Sequence, residues 1–290
     1  QEGGVASMKV QYPRVISTLS QRFAMGAYCF GLIAAYVFGL EVNIPLLALV
    51  SIVCLGVGMS CSALHLGRPK RILNTFANPS SHLTREMFCV PLVGIPYVLV
   101  GCNGWLYTMP DAVTYVLQAI GFAASLLFIW VTAKAYQMPA RPAWRGAGTT
   151  ANFCLTFLAA GSVAAAAFMA ATDVVVSVPY AGMMFALFLA AIVGQFSFIW
   201  QMGRVGYGAE VHPRDPEVAP TFRVWLAFGV AAPVVLGFAM LFVQASALVA
   251  ATFAVYLVDI FVWQSFFFLC GRDVQFFPQY PEAPMNPNYF

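Results

Sequence analysis

Residues Leu64–Phe88, LHLGRPKRILNTFANPSSHLTREMF, separate two long apolar runs and decide how the chain is read. The stretch holds four of the fourteen Lys and Arg residues, two of the three His, and Glu86, in a chain of which only 9% is charged. A connector this polar between segments this apolar reads as a membrane-surface loop joining two hydrocarbon-crossing helices.

The rest of the sequence extends that reading outward. With 61% hydrophobic residues and a mean hydropathy of +0.80, the chain has too few polar side chains to cover a water-soluble globule. Its apolar material comes in stretches long enough for a helix to cross a hydrocarbon core of roughly 30 Å. The predicted fold class is therefore an all-α integral membrane protein with eight transmembrane helices, at 22–40, 46–66, 86–107, 112–136, 150–171, 180–202, 221–243 and 246–269. An even number of spans puts both termini on the same side. Residues 1–20, which include Pro13 and lack an apolar core or a small-residue cleavage site, predict an N-terminal surface arm. Residues 21–270 form the transmembrane domain, and 271–290, ending FFPQYPEAPMNPNYF, predict an extended C-terminal tail.

Charge orients these spans. All fourteen Lys and Arg residues fall in the arm, in the loops after spans two, four and six, or in the tail. The opposite turns carry Glu41, Asp111 and Asp173. The positive-inside rule then places the termini and the basic loops in the cytoplasm. A one-sided basic face also suits an acidic soluble partner, and the paired arm and tail favour docking. A net charge of +3 makes no case for nucleic acid.

The seven cysteines are scattered through apolar runs without CxxC or CxxH spacing, so they read as small buried hydrophobes. His65, His82 and His212 all fall at or beyond one membrane surface, and no span has a His near its centre. A bis-His haem or a His-based metal site is accordingly not expected. What remains is the opening stretch. Gly67 and Pro69 suit the end of span two, and Thr84 suits the N-cap of span three, with Glu86 in its first turn. His65 and Glu86 should then face each other near one surface, where they could accept the protons of a quinol hydroxyl. The alternative is structural: a His at a helix C-terminus and a Glu at an N-terminus are each favoured by the helix dipole, by about 0.3–1 kcal/mol. Asp259, inside span eight, is either an intramembrane proton site or a hydrogen-bonded packing residue.

The order HLGRP, a loop with Arg71, Asn74 and Ser81, and then SHLTREMF closely resembles the corresponding segment of the membrane anchor subunits of dimethyl sulfoxide reductase, a group within the molybdopterin oxidoreductase complexes. The resemblance is specific over residues 62–90. It implies an anchor that oxidises a quinol, usually menaquinol, in anaerobic respiration. Electrons would pass to a four-cluster iron-sulfur subunit and on to a molybdopterin catalytic subunit. It also implies that His65 and Glu86 are the quinol-site residues, with Arg68 and Arg71 at the polar edge and no metal or haem in this chain. One position departs from the pattern: members often carry an acidic residue in the last span followed four positions later by Arg, and here Asp259 is followed by Trp263. The rival reading is a secondary transporter with Asp259, Asn152, Gln195 and Asn103 along a midplane path and helices broken at Pro91, Pro96 or Pro233.

Overall fold

A computed structural model describes residues 12–64, 82–137, 141–204, 213–216 and 218–271. They form eight helices: α1 Tyr12–Tyr36, α2 Ile44–Leu64, α3 His82–Cys102, α4 Asp111–Ala135, α5 Ala147–Ala171, α6 Val178–Met202, α7 Ala219–Ala239 and α8 Ser246–Leu269. No sheet forms among the described residues; a single bridge joins Asn103 to Tyr107 in the α3–α4 turn. Helices satisfy every interior backbone group within the segment, which is what a chain this apolar requires. Seven of the eight, α2 to α8, are long and apolar enough to cross a membrane. Helix α1 is equally long at 25 residues but carries Gln21 and Arg22, and most of its surface is buried against other helices.

The helices depart from the sequence reading in several places. Helix α1 begins at Tyr12, so residues 12–20 of the expected arm are helical. Pro13 falls in the first turn, where its missing N–H costs nothing. Helix α3 begins at His82, which puts Thr84 inside the helix and Glu86 in its second turn. It then runs through Pro91 and Pro96 unbroken. Helix α7, in contrast, is interrupted by a π turn at Trp225–Gly229 before resuming at Ala231–Ala239. Pro233 lacks the N–H that would bond the Gly229 carbonyl four residues back, which accounts for the break at this point.

Helices α1 and α5 form the centre of the bundle. They cross at Gly26 and Gly161, where a Cβ on either glycine would come within 2.5 Å of the other's Cα. Only small residues allow two backbones this close. On one side α1 packs with α2, α3 and α4 around Tyr28, Tyr97 and Phe128; on the other, α5 packs with α6 and α8 around Phe153, Phe188 and Trp263. Tyr97 exchanges a hydrogen bond of 2.7 Å with Ser125 of α4, which spares its hydroxyl an unsatisfied burial. The seven cysteines form no disulfide, and Cys29, Cys89 and Cys270 are buried.

The turns carrying Glu41, Asp111 and Asp173 join α1–α2, α3–α4 and α5–α6 at one end of the bundle. Arg85, Lys134, Arg145, Arg204 and Arg223 lie in terminal turns or connections at the other. At that basic end the short turn Pro142–Trp144 folds inward. Trp144 is fully buried, stacks on Phe267 of α8 at 5.0 Å, and donates its indole N–H to the Phe267 carbonyl at 3.0 Å. Gln201 of α6 closes the start of α5, its side-chain oxygen accepting from the Gly148 amide at 2.7 Å. Trp144→Ala is expected to cost about 3–5 kcal/mol. That should lower the thermal unfolding midpoint in detergent by about 10 °C.

Candidate functional site

Glu86 projects from the second turn of α3 at the basic end. Thr132, in the last turn of α4, donates its hydroxyl to Glu86 Oε1 at 3.1 Å. The carboxylate is partly buried. One helical turn further on, Tyr136 closes α4 on the same face. Its phenol lies within the electrostatic reach of Glu86, Arg14, Arg22 and Arg141. Tyr136 also stacks on Phe153 of α5 at 5.0 Å, and the opening of α5 thereby becomes a wall of this region.

Arg22 is the residue that sequence reasoning missed. Counted from the sequence as part of the basic arm, it lies three turns into α1 and is wholly buried. Its guanidinium sits 4.3 Å over the Phe153 ring, a cation–π contact, and none of its three nitrogens has a hydrogen-bond acceptor among the described residues. A cation without acceptors inside a membrane bundle is costly, which marks the position for a role beyond packing. The available clue was helical phase: with α1 starting at Tyr12, Arg22 follows Thr18 by four residues on one face, and Thr18 is itself buried.

Asp259 of α8 is 7% exposed, and its Oδ1 has no hydrogen-bond partner among the described residues. It packs on Gly229 in the π turn of α7, where a side chain would collide with the carboxylate. Trp263, standing where the resemblance leads one to look for Arg, is fully buried and donates its indole N–H to Asn152 Oδ1 at 2.8 Å. Tyr256, one helical turn before Asp259 on α8, is also buried, as is Arg22 of α1. The Arg22 nitrogens, the Tyr256 hydroxyl and Asp259 Oδ1 make no hydrogen bond among the described residues.

His65, Arg68 and Arg71 lie outside the described residues, as does His212, so Glu86 is the member of the expected quinol set whose position is described. Of the residues weighed for a transport path, Asn152 and Gln195 are buried within the bundle. Asn103 is instead a turn residue, accepting from the Met109 amide at 2.9 Å and donating to Thr114 at 3.2 Å. Among the described residues no three His, Cys, Asp or Glu side chains converge.

A family model described as the DMSO reductase anchor subunit (DmsC) matches residues 8–267. The chain belongs to that family. It is a multi-pass membrane protein of the DMSO reductase anchor type, and the match takes in α1 to α7 and nearly all of α8. The chain is also 32% identical over 125 residues to anaerobic dimethyl sulfoxide reductase chain YnfH of Escherichia coli K12. That match covers 41% of this anchor subunit and 43% of the relative's length, so the chain spans less than half of the curated relative it matches.

Proposed function

We propose that this anchor subunit oxidises a quinol, menaquinol by resemblance, at the basic end of the bundle. In this reading all eight helices span a bacterial cell membrane, with both termini and the basic loops in the cytoplasm. Electrons leave to a four-cluster iron-sulfur subunit docked on the basic face and pass on to a molybdopterin catalytic subunit. The observation that carries the reading is Glu86 held by Thr132 beside Tyr136 at that end.

The chemistry follows from what a quinol must lose, two electrons and two protons. Glu86 takes a proton from one hydroxyl as the electrons depart, and Thr132 keeps the carboxylate oriented toward it. His65 is read as the group at the second hydroxyl, with Arg68 and Arg71 at the polar edge. Asp259 is read as an intramembrane proton site. Thr132→Val removes one hydrogen bond to a charged acceptor, worth about 1.5–3 kcal/mol, and should lower quinol-linked kcat/KM roughly tenfold to a hundredfold. Asp259→Asn keeps the volume but removes the titratable group; it should slow quinol-linked turnover without changing turnover driven by an artificial donor.

The break in α7 beside a buried Asp259 is also what a secondary transporter would use. Purification under mild detergent separates the two readings. Co-elution with an iron-sulfur protein and bound quinone supports the quinol reading. A solitary protein that binds a polar solute and carries no quinone would overturn it.

A further inference from the structure

The connection into α5 and the end of α6 enclose a groove of about 470 Å³ at the basic end, lined by Arg145, Gly148, Ala151, Ser197, Trp200 and Arg204 among others. Two cations flank it, and among the described residues no carboxylate lines it. Both arginines are exposed, and Arg204 lies flat on the Trp200 ring at 3.7 Å. The groove is distinct from the Glu86 region, which is built from α3 and α4.

Its floor and the helix face next to it indicate the occupant. Gly148 and Ala151 keep α5 low there, and Ser197 spends its hydroxyl on the Val193 carbonyl at 2.8 Å, leaving an apolar surface. Below the groove α6 presents Val193, Phe196 and Trp200, which are 60%, 44% and 64% exposed and recur at helical spacing. This is a lipid-facing stripe that ends in an interfacial tryptophan, directly beneath two arginines. Two cations beside exposed apolar side chains match an amphipathic anion, whose headgroup and acyl chain need both.

We infer that the groove between α5 and α6 is a binding site for an anionic phospholipid. Its phosphate sits between Arg145 and Arg204, the glycerol lies against Trp200, and an acyl chain descends along Ala151 and Val193. Anionic headgroups favour basic pockets between helices at this depth, by an amount that for two arginines corresponds to about tenfold to thirtyfold in affinity.

The test is native mass spectrometry of the full chain, delipidated in detergent and titrated with phosphatidylglycerol or with phosphatidylcholine of the same acyl chains. Phosphatidylglycerol should bind about tenfold to thirtyfold more tightly. The R145Q/R204Q double variant should lose that preference, whereas R145K/R204K should keep most of it. Millimolar inorganic phosphate should not displace the lipid. Equal binding of the two lipids, an undiminished preference in the glutamine variant, or displacement by free phosphate would each overturn the assignment. So would loss of the iron-sulfur partner with lipid binding unchanged, which would make the groove a protein-docking surface. If the glutamine variant does not fold, the unmodified chain decides: phosphatidylglycerol with a photoreactive headgroup should label peptides containing Arg145–Ala151 or Ser197–Arg204, and labelling confined to other segments would refute the site.

Discussion

Glu86→Gln is expected to reduce quinol-linked turnover about 10²–10⁴-fold, the range usually carried by a positioned general base. Turnover of the soluble subunits with an artificial donor should not change. Glutamine preserves the side chain's length and can still accept the Thr132 hydroxyl bond, so the bundle should stay intact while proton acceptance is lost. A merely structural glutamate, placed to satisfy the dipole of α3, would behave differently. Its neutral isostere would cost about 0.3–1 kcal/mol of stability and leave quinol turnover within a few-fold of wild type. Measuring both donors in the same membrane preparation separates the two roles, because a folding defect lowers both activities together.

Gly161→Leu should prevent assembly of the bundle. A Cβ at this position would meet the Gly26 backbone at 2.5 Å from Cα and 2.6 Å from the carbonyl carbon, so no side-chain rotation relieves the clash. Helices α1 and α5 would have to separate along their length. The separation would also lift Arg22, one turn from Gly26, off the Phe153 ring. Overpacking a core typically costs about 1–3 kcal/mol, and a backbone-to-backbone collision at the centre of the bundle belongs above that range. The expected result is loss of monodisperse protein on size exclusion in detergent. Gly56→Leu is the control, since nothing lies within 4 Å of a Cβ there, and it should yield protein at the wild-type level.

The spans that were legible in the sequence are those in which charge and apolarity change together. Helices α4, α5, α6 and α8 fall within a few residues of their expected limits, each bounded by a polar turn. Helix α3 stops at Cys102, before the expected 107, because the chain turns at Gly104 with φ +85°. Hydropathy continues past this turn because Trp105 and Leu106 are apolar yet 73% and 80% exposed, as side chains at a membrane interface are. Helix α1 was misplaced for the opposite reason. Its polar residues are buried rather than surface-facing: Thr18 donates to the Arg14 carbonyl at 3.0 Å, and Ser17 and Gln21 are also inside.

The candidate site was legible only where it depends on neighbours in sequence. Glu86 stands out because it lies at the start of a span on the basic face. Thr132 and Tyr136 come to it from α4, and no local pattern in the sequence ties that helix to α3. The replacement of the usual last-span Arg by Trp263 left Asp259 without an evident basic neighbour. In three dimensions Arg22, from the far end of the chain, is a buried cation, though no hydrogen bond or ion pair joins it to Asp259 among the described residues. Side chains contributed by different helices become a group only once the α1–α5 crossing brings those helices together.

In the proposed function the quinol headgroup sits at the basic end, between α3 and α4. Photolabelling of the membrane-embedded complex with an azido-quinone, followed by peptide mapping, tests that position. Label is expected on peptides containing Glu86, Thr132 or Tyr136, competed away by excess menaquinol and greatly diminished in Glu86→Gln. Label confined to the opposite end of the bundle, near Glu41, Asp111 or Asp173, would contradict it.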